Sequence, residues 1–477
     1  MNHEDLAFTP LHEQARLITR GDVSPVELTE IYLDRISDYD EALGAYLAVT
    51  ADRALAMAQA AETTLVAGSR RGPLHGIPLV LKDLFDVGDM ATTGGSVVLA
   101  DNIAERDATV ARRLFEAGAV LLGKAHMVEF AFGGTGINHH YGTPWNPWDP
   151  DVHRLPGGSS SGSAVAVASA MASVALGSDT GGSVRIPASF CGLVGLKPTF
   201  GRVSSAGVLP LDPTLDSVGP IARCVTDVAL VYDIIAGGDP FDGDTLSAPP
   251  FVPVKDVEGE ISGTRLCIPR QYFWDDMETD VEAAVRATTR VFADLGAVVD
   301  EVSLEELDRL SEMRSRKNLT AVETCLSYGS LLEERGQEFD PIVRERMVDG
   351  FDVSAVEYLE ARRFRDSLQR DTAAAMTDID ALLVPTTPFA APVLEDCDDQ
   401  GPEYWRVNSM CLRNTAAANL LGLCSISLPC GVTDEGLPIG LMLIGRPYEE
   451  ARLLRLARAY EAATDWHARR PDLSAFA

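Results

Sequence analysis

Positive charge is scarce in this sequence. Its 477 residues include 40 Lys and Arg against 71 Asp and Glu, which gives a formal net charge of −31 at pH 7. A field of this sign repels phosphate backbones and anionic lipid headgroups. We therefore expect no direct binding to nucleic acid and no membrane partner. The acidity is typical of a solvated surface, and it does not identify a substrate.

Long apolar runs are also missing. No stretch approaches the roughly 18 apolar residues that a membrane-spanning helix needs. Residues Met1 to Asp5 show none of the basic and then apolar pattern that begins a secretory signal. The expected location is therefore cytoplasmic. Apolar residues make up 46% and charged residues 23% of the chain, values typical of a globular protein with a sizeable core.

The third absence is of metal-binding and disulfide patterns. Eight cysteines are dispersed through apolar segments without a Cys-x-x-Cys pair, which favours buried free thiols over zinc ligands or disulfides. Four histidines, His126, His139, His140 and His153, lie close in sequence, but no His-Glu-x-x-His or Cys/His grouping accompanies them. We therefore expect no metal and no other cofactor.

What the sequence contains is the pattern of a large α/β protein. Helical periodicity dominates residues 1–65, where Ser24-Pro25 is typical of a helix start. From about Gly76, short apolar runs alternate with Gly-rich turns and Ala-rich helical stretches, which indicates a sheet with helices. We predict an N-terminal helical scaffold over 1–65 packed on a single α/β domain over 66–477. A surface connection is expected at about 237–263, where Gly, Pro and Asp are frequent.

Periodicity also predicts individual elements of this domain. A charged helical region is expected from about Leu304 to Thr377, and a closing helix from Glu449 to Thr464. Apolar runs predict strands near 77–81, 172–178, 265–268, 297–299, 381–385, 424–428 and 440–444.

Two serines and one lysine stand out as a possible catalytic group. Ser159 lies in Pro-Gly-Gly-Ser-Ser-Ser-Gly (156–162), and Ser183 lies in Asp-Thr-Gly-Gly-Ser-Val-Arg (179–185). A helix at 161–170 followed by a strand at 172–178 would run out and back, and so bring both serines to one edge of a sheet. A parallel strand at 77–81 would deliver Lys82 to the same edge.

These residue types suit nucleophilic catalysis. Ser183 is the candidate nucleophile, since the Gly-rich turn before it leaves backbone N–H groups open to stabilise an oxyanion. Lysine serves as a base only when neutral, and at its ordinary pKa of about 10.4 roughly one lysine in 2,500 is neutral at pH 7. The apolar run before Lys82 can lower that pKa by desolvation. Ser159 is a candidate proton relay between the two. The predicted oxyanion hole comprises the backbone N–H groups of Thr180, Gly181, Gly182 and Ser183.

Three other interpretations of the Gly-rich runs compete with this one. The run 158–162 formally matches Gly-x-Ser-x-Gly, which would make Ser160 the nucleophile of an α/β-hydrolase, but a Pro- and Trp-rich loop at 139–156 stands where that elbow requires a strand. A phosphate-binding loop requires a following Lys-Ser/Thr pair that neither run has. A flexible linker explains one Gly/Ser run, but a second Gly-Gly-Ser element argues against it.

Taken together, these motifs resemble the amidase signature family. They comprise the lysine segment 76–83, the serine runs 156–162 and 177–188, and further matches at 191–199, 201–204 and 431–446. The resemblance implies an α/β fold with a large central mixed, twisted sheet flanked by helices on both faces. It also implies a Ser-cis-Ser-Lys triad formed by Ser183, Ser159 and Lys82. Ser183 would attack an amide carbonyl, ammonia or an amine would leave, and water would hydrolyse the acyl-enzyme.

The resemblance extends to less specific positions. It implies that Ser160 supports the lysine, and that Asp179 and Arg185 form a structural polar pair near the nucleophile. The segment 405–414 is a further candidate for the substrate pocket. The single positions implied for that pocket are Met127, Gly133, Gly134, Thr135 and Ile186.

Ile186 bears on the choice of substrate. One branch of the family comprises the glutamine-hydrolysing subunits of glutamyl-tRNA(Gln) amidotransferases, which resemble much of this sequence but usually have a glutamine three residues after the nucleophile. The apolar Ile186 favours a small neutral or partly hydrophobic amide instead, with carbamates and aryl amides included. The glutamine-hydrolysing subunit of a tRNA-dependent amidotransferase is the alternative. A catalytically silent binding or assembly subunit is an alternative of another class, and a homodimer stays open.

Overall fold

The computed structural model describes residues 2–254, 257–315, 319–397 and 400–477. Residues 255 and 256 of the expected surface connection, and residues 316–318 of the expected helical region, lie outside this part of the chain. Between 237 and 263 the described residues carry one short helix, Gly243–Ser247, amid irregular backbone.

The strands form a single mixed sheet, which confirms the predicted fold class. Its spatial order is β1-β3-β2-β4-β6-β5-β10-β11-β9-β7-β8. Neighbours at the centre include parallel pairs, such as β2 with β3 and with β4, and antiparallel pairs, such as β4 with β6. In chain order the strands are β1 (Tyr46–Val49), β2 (Pro78–Lys82), β3 (Val120–Ala125), β4 (Val174–Asp179), β5 (Val194–Lys197), β6 (Ser217–Ala222), β7 (Arg265–Pro269), β8 (Val298–Val302), β9 (Ala381–Pro385), β10 (Cys424–Val432) and β11 (Pro438–Gly445).

Helices pack against this sheet and against one another. Among the described residues, none of the helices combines the length and apolar composition needed to cross a bilayer. The α-helices are α1 (His3–Phe8), α2 (Leu11–Arg20), α3 (Pro25–Leu43), α4 (Ala51–Val66), α5 (Thr109–Glu116), α6 (Ser161–Ala168), α7 (Arg185–Phe190), α8 (Val225–Ile235), α9 (Gly243–Ser247), α10 (Thr279–Asp294), α11 (Glu305–Ser315), α12 (Leu319–Arg335), α13 (Pro341–Val348), α14 (Ala355–Ala375), α15 (Pro402–Leu420) and α16 (Glu450–Ala462).

The N-terminal segment is mostly helical, as its periodicity predicts. Ser24 accepts a hydrogen bond from the N–H of Glu27 and Pro25 is the first residue of α3, so the predicted helix start is confirmed. The segment also contributes an edge strand, because β1 pairs antiparallel with β3. The division of the chain at residue 65 stays a prediction.

Three buried apolar clusters hold the sheet and helices together. The largest contains the apolar side chains of β2, β3, β4 and α6. A second lies among β9, β11, α11 and the C-terminal part of α15. The third is small and contains Ile186 and Phe190 of α7 with Phe389 and Tyr404. The elements that carry the lysine segment and the two serine motifs therefore pack on a buried apolar core.

We expect Gly219→Ala to destabilise this sheet. Gly219 lies in the central strand β6, where an added Cβ would meet the backbone oxygen of Leu196 at 1.9 Å, and overpacking of this kind costs about 1 to 3 kcal/mol. The shift in the urea midpoint, followed by tryptophan fluorescence, measures the loss. Gly243→Ala is the control, since no heavy atom lies within 4 Å of its added Cβ. Equal midpoints for the two variants would contradict the expectation.

Candidate active site

Three strand ends meet where the catalytic motifs lie. Strands β2 and β4 are parallel neighbours, so Lys82 and Asp179, their last residues, lie at the same edge. Strand β6 is antiparallel to β4 and pairs Ser217 with Asp179. The residue before it, Asp216, therefore comes to this edge as well. Pairing along the sheet places the lysine segment beside the second serine motif, as the sequence predicts.

Lys82 is enclosed by hydroxyl groups. Its Nζ donates to Ser159 Oγ at 2.7 Å and to Ser178 Oγ at 2.9 Å. Lys82 and Ser159 have no exposed surface. The structure thus brings together the lysine and the first serine of the predicted triad. It adds Ser178, on β4, as a second hydroxyl partner.

The surroundings of Lys82 favour its neutral form. Burial lowers the pKa of Lys82 from 10.5 to about 7, and the carboxylates of Asp216 and Asp179 oppose this shift only in part. At a pKa near 7 a large fraction of the amine is neutral at neutral pH, which a proton acceptor requires.

Ser159 and Ser160 precede the first helix after the Gly-rich run. The peptide bond between Gly158 and Ser159 is cis. A Cβ on Gly158 would lie 2.7 Å from the backbone nitrogen of Gly136, so only glycine fits there. Ser160 Oγ donates to the carbonyl oxygen of Ser178 at 3.4 Å, and its N–H donates to the carbonyl oxygen of Ser183. Ser160 therefore holds the second serine motif and makes no hydrogen bond to Lys82 within the described residues.

Ser183 ends the Gly-rich turn that leads into α7. Within the described residues its Oγ has no hydrogen-bond partner, and Ser183 lines a cavity. The N–H of Gly182 donates to Asp179 Oδ1 at 2.8 Å, so this predicted oxyanion donor is already engaged. The N–H groups of Thr180, Gly181 and Ser183 donate to no acceptor in the described part of the chain, and the oxyanion-hole prediction stays open for those three.

Asp179 and Arg185 fix this turn. Arg185 donates from Nη2 to Asp179 Oδ1 at 2.8 Å and from Nε to Asp179 Oδ2 at 3.0 Å, and both residues are fully buried. Burial alone raises the pKa of the Asp179 carboxyl, but the guanidinium outweighs it and lowers the pKa to about 2. Arg185 also donates to the Thr415 carbonyl oxygen and to Asn419 Oδ1 on α15. The predicted polar pair therefore ties the turn before Ser183 to a helix more than 200 residues further along the chain.

The cavity beside Ser183 has a volume of about 300 Å³. Two guanidinium groups, from Arg314 on α11 and Arg346 on α13, lie on its wall, and among the described lining residues there is no carboxylate. Arg346 donates to the Phe132 carbonyl oxygen, whereas Arg314 donates to the Tyr272 hydroxyl. Neither forms a salt bridge with another described residue. The apolar part of the wall includes Phe132, Leu211, Leu215, Met313, Leu319 and Leu412.

Only part of the predicted pocket lines this cavity. Gly133 does, and so does Leu412 from the segment 405–414. Ile186 is fully buried in the small apolar cluster with Phe190 and Phe389. The remaining predicted positions, Met127, Gly134 and Thr135, are buried without lining the cavity.

The histidines of the 126–153 segment serve separate structural contacts. His126 bonds Ser161 Oγ and the Gly142 carbonyl oxygen, and His139 pairs with Asp340. His140 lies 3.2 Å from Glu129, and His153 stacks on Trp145. All eight cysteines are free thiols, and seven of them are buried.

One cluster of ligand-type atoms lies far from Lys82 in the sequence. His12, Cys224 and Asp227 each place one such atom within 4.8 Å of the others. Asp227 accepts hydrogen bonds from the backbone N–H groups of Leu11 and His12 and from His12 Nδ1. These contacts cap the N-terminus of α2, so the cluster has a structural role without a metal.

Sequence reasoning missed several residues that shape the site. Ser178 stands one residue before Asp179 in the motif 177–188, so the sequence could have identified it as a site residue. Asp216 follows a Pro-rich loop without any motif, and Arg314 and Arg346 lie in a helical region whose charges suggested a solvated surface. Periodicity could not place those helices over the sheet edge.

Proteins of known families align with nearly the whole length of this chain. A family model described as Amidase matches residues 27–454. A glutamyl-tRNA(Gln) amidotransferase subunit of Moorella thermoacetica is 40% identical, over 98% of this chain and 99% of its own length. A protein of the same name from Chloroflexus aurantiacus is 41% identical, over 96% of each chain.

Solved structures share the fold at similar coverage. A vestigial protein complex that bears on the origins of an s-triazine catabolic enzyme superposes with a TM-score of 0.87 at 33% identity, over 95% of this chain and 98% of the other. The peptide amidase of Stenotrophomonas maltophilia gives a TM-score of 0.83 at 31% identity, over 97% and 98%. A 6-aminohexanoate cyclic dimer hydrolase bound to its substrate gives 0.86 at 26% identity, over 98% and 99%.

We expect the rate at which a fluorophosphonate labels Ser183 to rise with pH through a midpoint near 7, the lowered pKa of Lys82. Below the midpoint Lys82 is protonated and accepts no proton from the serines, so labelling is slow. Above it the amine is neutral and the rate reaches a plateau. Mass spectrometry of the labelled peptide across the pH range measures the profile. A midpoint near 10.5, the ordinary value for lysine, would contradict the assignment, and Lys82→Ala is the control that removes the rise.

Proposed function

The chain belongs to the amidase family, a group of hydrolases that act on amide C–N bonds, and we propose that it cleaves a linear amide through an acyl-enzyme on Ser183. The family resemblance of its motifs is thereby confirmed. The roles of Ser183, Ser159 and Lys82 in the reaction are part of the proposal. So are the identity of the substrate and any partner, including a homodimer.

The contact between Lys82 and Ser159 carries this proposal. A fully buried amine whose pKa lies near 7 donates to the hydroxyl of Ser159, and the backbone N–H of Ser160 donates to the backbone carbonyl of Ser183. The hydrogen-bond partners of Lys82 are hydroxyls and not carboxylates. The amine can therefore lose its proton without leaving an unpaired negative charge buried beside it. This arrangement suits a base better than it suits a structural ion pair.

In the proposed reaction the proton moves in two steps, the second along the hydrogen bond between Ser159 and Lys82. Ser183 Oγ attacks the amide carbon while its proton passes to Ser159 Oγ and the Ser159 proton passes to Lys82 Nζ. The free N–H groups of the 180–183 turn stabilise the oxyanion. The C–N bond then breaks, and the proton returns through Ser159 to the leaving nitrogen, so that ammonia or an amine departs. Water repeats the sequence on the acyl-enzyme and releases the carboxylate.

The cavity supports a partly hydrophobic amide that carries a carboxylate. Arg314 and Arg346 present guanidinium groups to it, and among the described lining residues no carboxylate neutralises them. A carboxylate on the substrate would receive charge-assisted hydrogen bonds, and its methylene groups would contact the leucines of the wall. The proposed substrate keeps the partly hydrophobic character that the sequence predicts. It differs from the neutral amide also expected there, because it carries a negative charge.

Hydrolysis of glutamine as part of an amidotransferase is the second candidate. Relatives about 40% identical over nearly the full chain bear the amidotransferase name, and this favours the second candidate over the hydrolysis of a neutral amide by a stand-alone enzyme. The arginines also suit the carboxylate of glutamine. The described lining of the cavity offers no carboxylate to the glutamine ammonium group, which favours an amide without that group.

We expect Ser183→Ala to abolish the acyl-enzyme, because Ser183 is the serine that the described cavity wall presents after a turn with free N–H groups. Lys82→Ala and Ser159→Ala should each slow acylation at least about a thousandfold, and their double variant should lose little more, because residues of one catalytic unit are not additive. Single-turnover labelling and amide hydrolysis measure both effects. Ser247→Ala, an exposed serine on α9, is the matched control and retains wild-type rates. Full activity of any triad variant would overturn the proposal.

Three matched amides test the substrate. Pentanamide, glutaramate and glutamine share one carbon chain and differ by a carboxylate and then by an ammonium group. We expect the isolated protein to prefer glutaramate to pentanamide about tenfold or more, because a hydrogen bond to a charged group contributes about 1.5 to 3 kcal/mol. Arg346→Met should reduce that preference.

Release of ammonia, measured as kcat/KM, ranks the three substrates. Glutamine turnover equal to that of glutaramate, or turnover that appears only with partner subunits, would favour the amidotransferase candidate. Faster hydrolysis of pentanamide would contradict the role of the arginines.

A further inference from the structure

A small cavity lies beside Ser178, the second hydroxyl partner of Lys82. It encloses about 50 Å³. Most of its lining is apolar, and Ser178, Ser205, Asp216 and Ser217 contribute the polar part. The volume is sufficient for water, which needs roughly 10–15 Å³ and two to four polar partners, and the three serines and Asp216 are the polar groups available to it. Because Ser178 Oγ accepts from Lys82 Nζ at 2.9 Å, the cavity is one hydroxyl away from the candidate base.

Asp216 joins this cavity to the nucleophile turn and to the substrate cavity. Its Oδ1 accepts a hydrogen bond of 2.5 Å from Thr180 Oγ1, at the start of the turn that ends in Ser183. Its Oδ2 accepts from the backbone N–H groups of Leu211 and Asp212 at 2.9 and 3.1 Å. Leu211 lines the substrate cavity. The Asp216 carboxyl is therefore bonded both to a wall of that cavity and to the turn that ends in Ser183.

Several titratable groups surround Asp216. Burial and the neighbouring Asp212 raise the pKa of Asp216 to about 7. Across the sheet edge stand Lys82 and Asp179, and the charge of Asp179 is already matched by Arg185. Tyr328 of α12 faces it with a phenol whose pKa burial raises far above neutral pH. Asp179 and Asp83 are paired with Arg185 and Lys124, whereas Asp216 forms no salt bridge with a described residue.

We propose that Asp216 is a positioning residue that controls the proton held by Lys82, acting through the cavity beside Ser178. The inference rests on the proposed function, in which Lys82 is the base. An ionised Asp216 favours the ammonium form of Lys82, and a protonated Asp216 favours the neutral amine. The two groups therefore titrate as a coupled pair rather than as independent sites.

The coupling gives the wild-type protein a characteristic pH profile. Because the charge of Asp216 changes over the same interval as that of Lys82, the rise in Ser183 reactivity should be broader than a one-proton curve. With a neutral residue in place of Asp216, the lysine loses a favourable neighbour and gives up its proton more readily. The rise should then become a one-proton curve and move to lower pH.

The test measures the rate of fluorophosphonate labelling of Ser183 against pH in the full chain. We expect Asp216→Asn to move the midpoint of the rise to lower pH by about half a unit or more, in keeping with the loss of one nearby charge. Asp216→Ser is the second neutral variant. Its smaller side chain leaves room for a water molecule to accept from the Leu211 and Asp212 N–H groups, so it tests the charge even where the amide disturbs the loop.

Ser217→Ala is the matched control, since it alters the same cavity without altering a charge, and it should leave the midpoint in place. Thermal unfolding verifies that each variant is folded at the pH of the assay. A uniform fall in labelling rate with an unmoved midpoint in the folded Asp216 variants would show a merely structural role and overturn the inference, while labelling of the wild type would still support the proposed function. Failure of the wild type to react at any pH would overturn both.

Discussion

Arg185 bonds both carboxylate oxygens of Asp179 in surroundings from which water is excluded, and the geometry of the site depends on this contact. Asp179 also accepts from the backbone N–H groups of Gly182 and Val184, so the pair determines the path of the turn that presents Ser183. Removing one partner of such a buried pair costs about 3 to 5 kcal/mol, because the other charge is left unpaired. The same arginine bonds Asn419 on α15, so the wall of the cavity beside Ser183 is anchored to the turn that it faces.

The burial that isolates this pair also lowers the pKa of Lys82, the proposed base. Lys82 stands on the neighbouring strand at the same buried edge, but it is held by two hydroxyls instead of a carboxylate. At Asp179 a guanidinium 2.8 Å away outweighs the effect of burial on the carboxyl pKa. At Lys82 no neighbouring charge compensates fully for burial, so the neutral amine is favoured. Asp216 differs from both residues. It has no cation as close as the one that Asp179 has, but its charge acts on the pKa of Lys82. Burial and neighbouring groups thus lower the pKa of Asp179 and of Lys82 and raise the pKa of Asp216 at one sheet edge.

The sequence predicted which motifs meet at this edge better than it predicted the walls around them. Lys82 and the two serine motifs could be placed at one edge because they end or follow elements that periodicity and glycine turns predict. Ile186 shows the limit: its position beside the nucleophile suggested a pocket residue, but its side chain lies in the apolar cluster with Phe389. Arg314 and Arg346 come from helices more than 100 residues after Ser183. Their charge is ordinary for a helix surface, and only tertiary packing places them over the cavity.

A direct titration of Lys82 tests the central claim, that burial holds this amine neutral near physiological pH. The chain has only five lysines, so side-chain carbon and nitrogen NMR of lysine-labelled protein is tractable, and the Lys82→Arg variant assigns the resonance. The account predicts that Lys82 loses its proton with a midpoint near 7. A resonance that stays in the ammonium form up to the ordinary lysine pKa of about 10.4 would contradict the account, because Ser159 would then have no base to receive its proton.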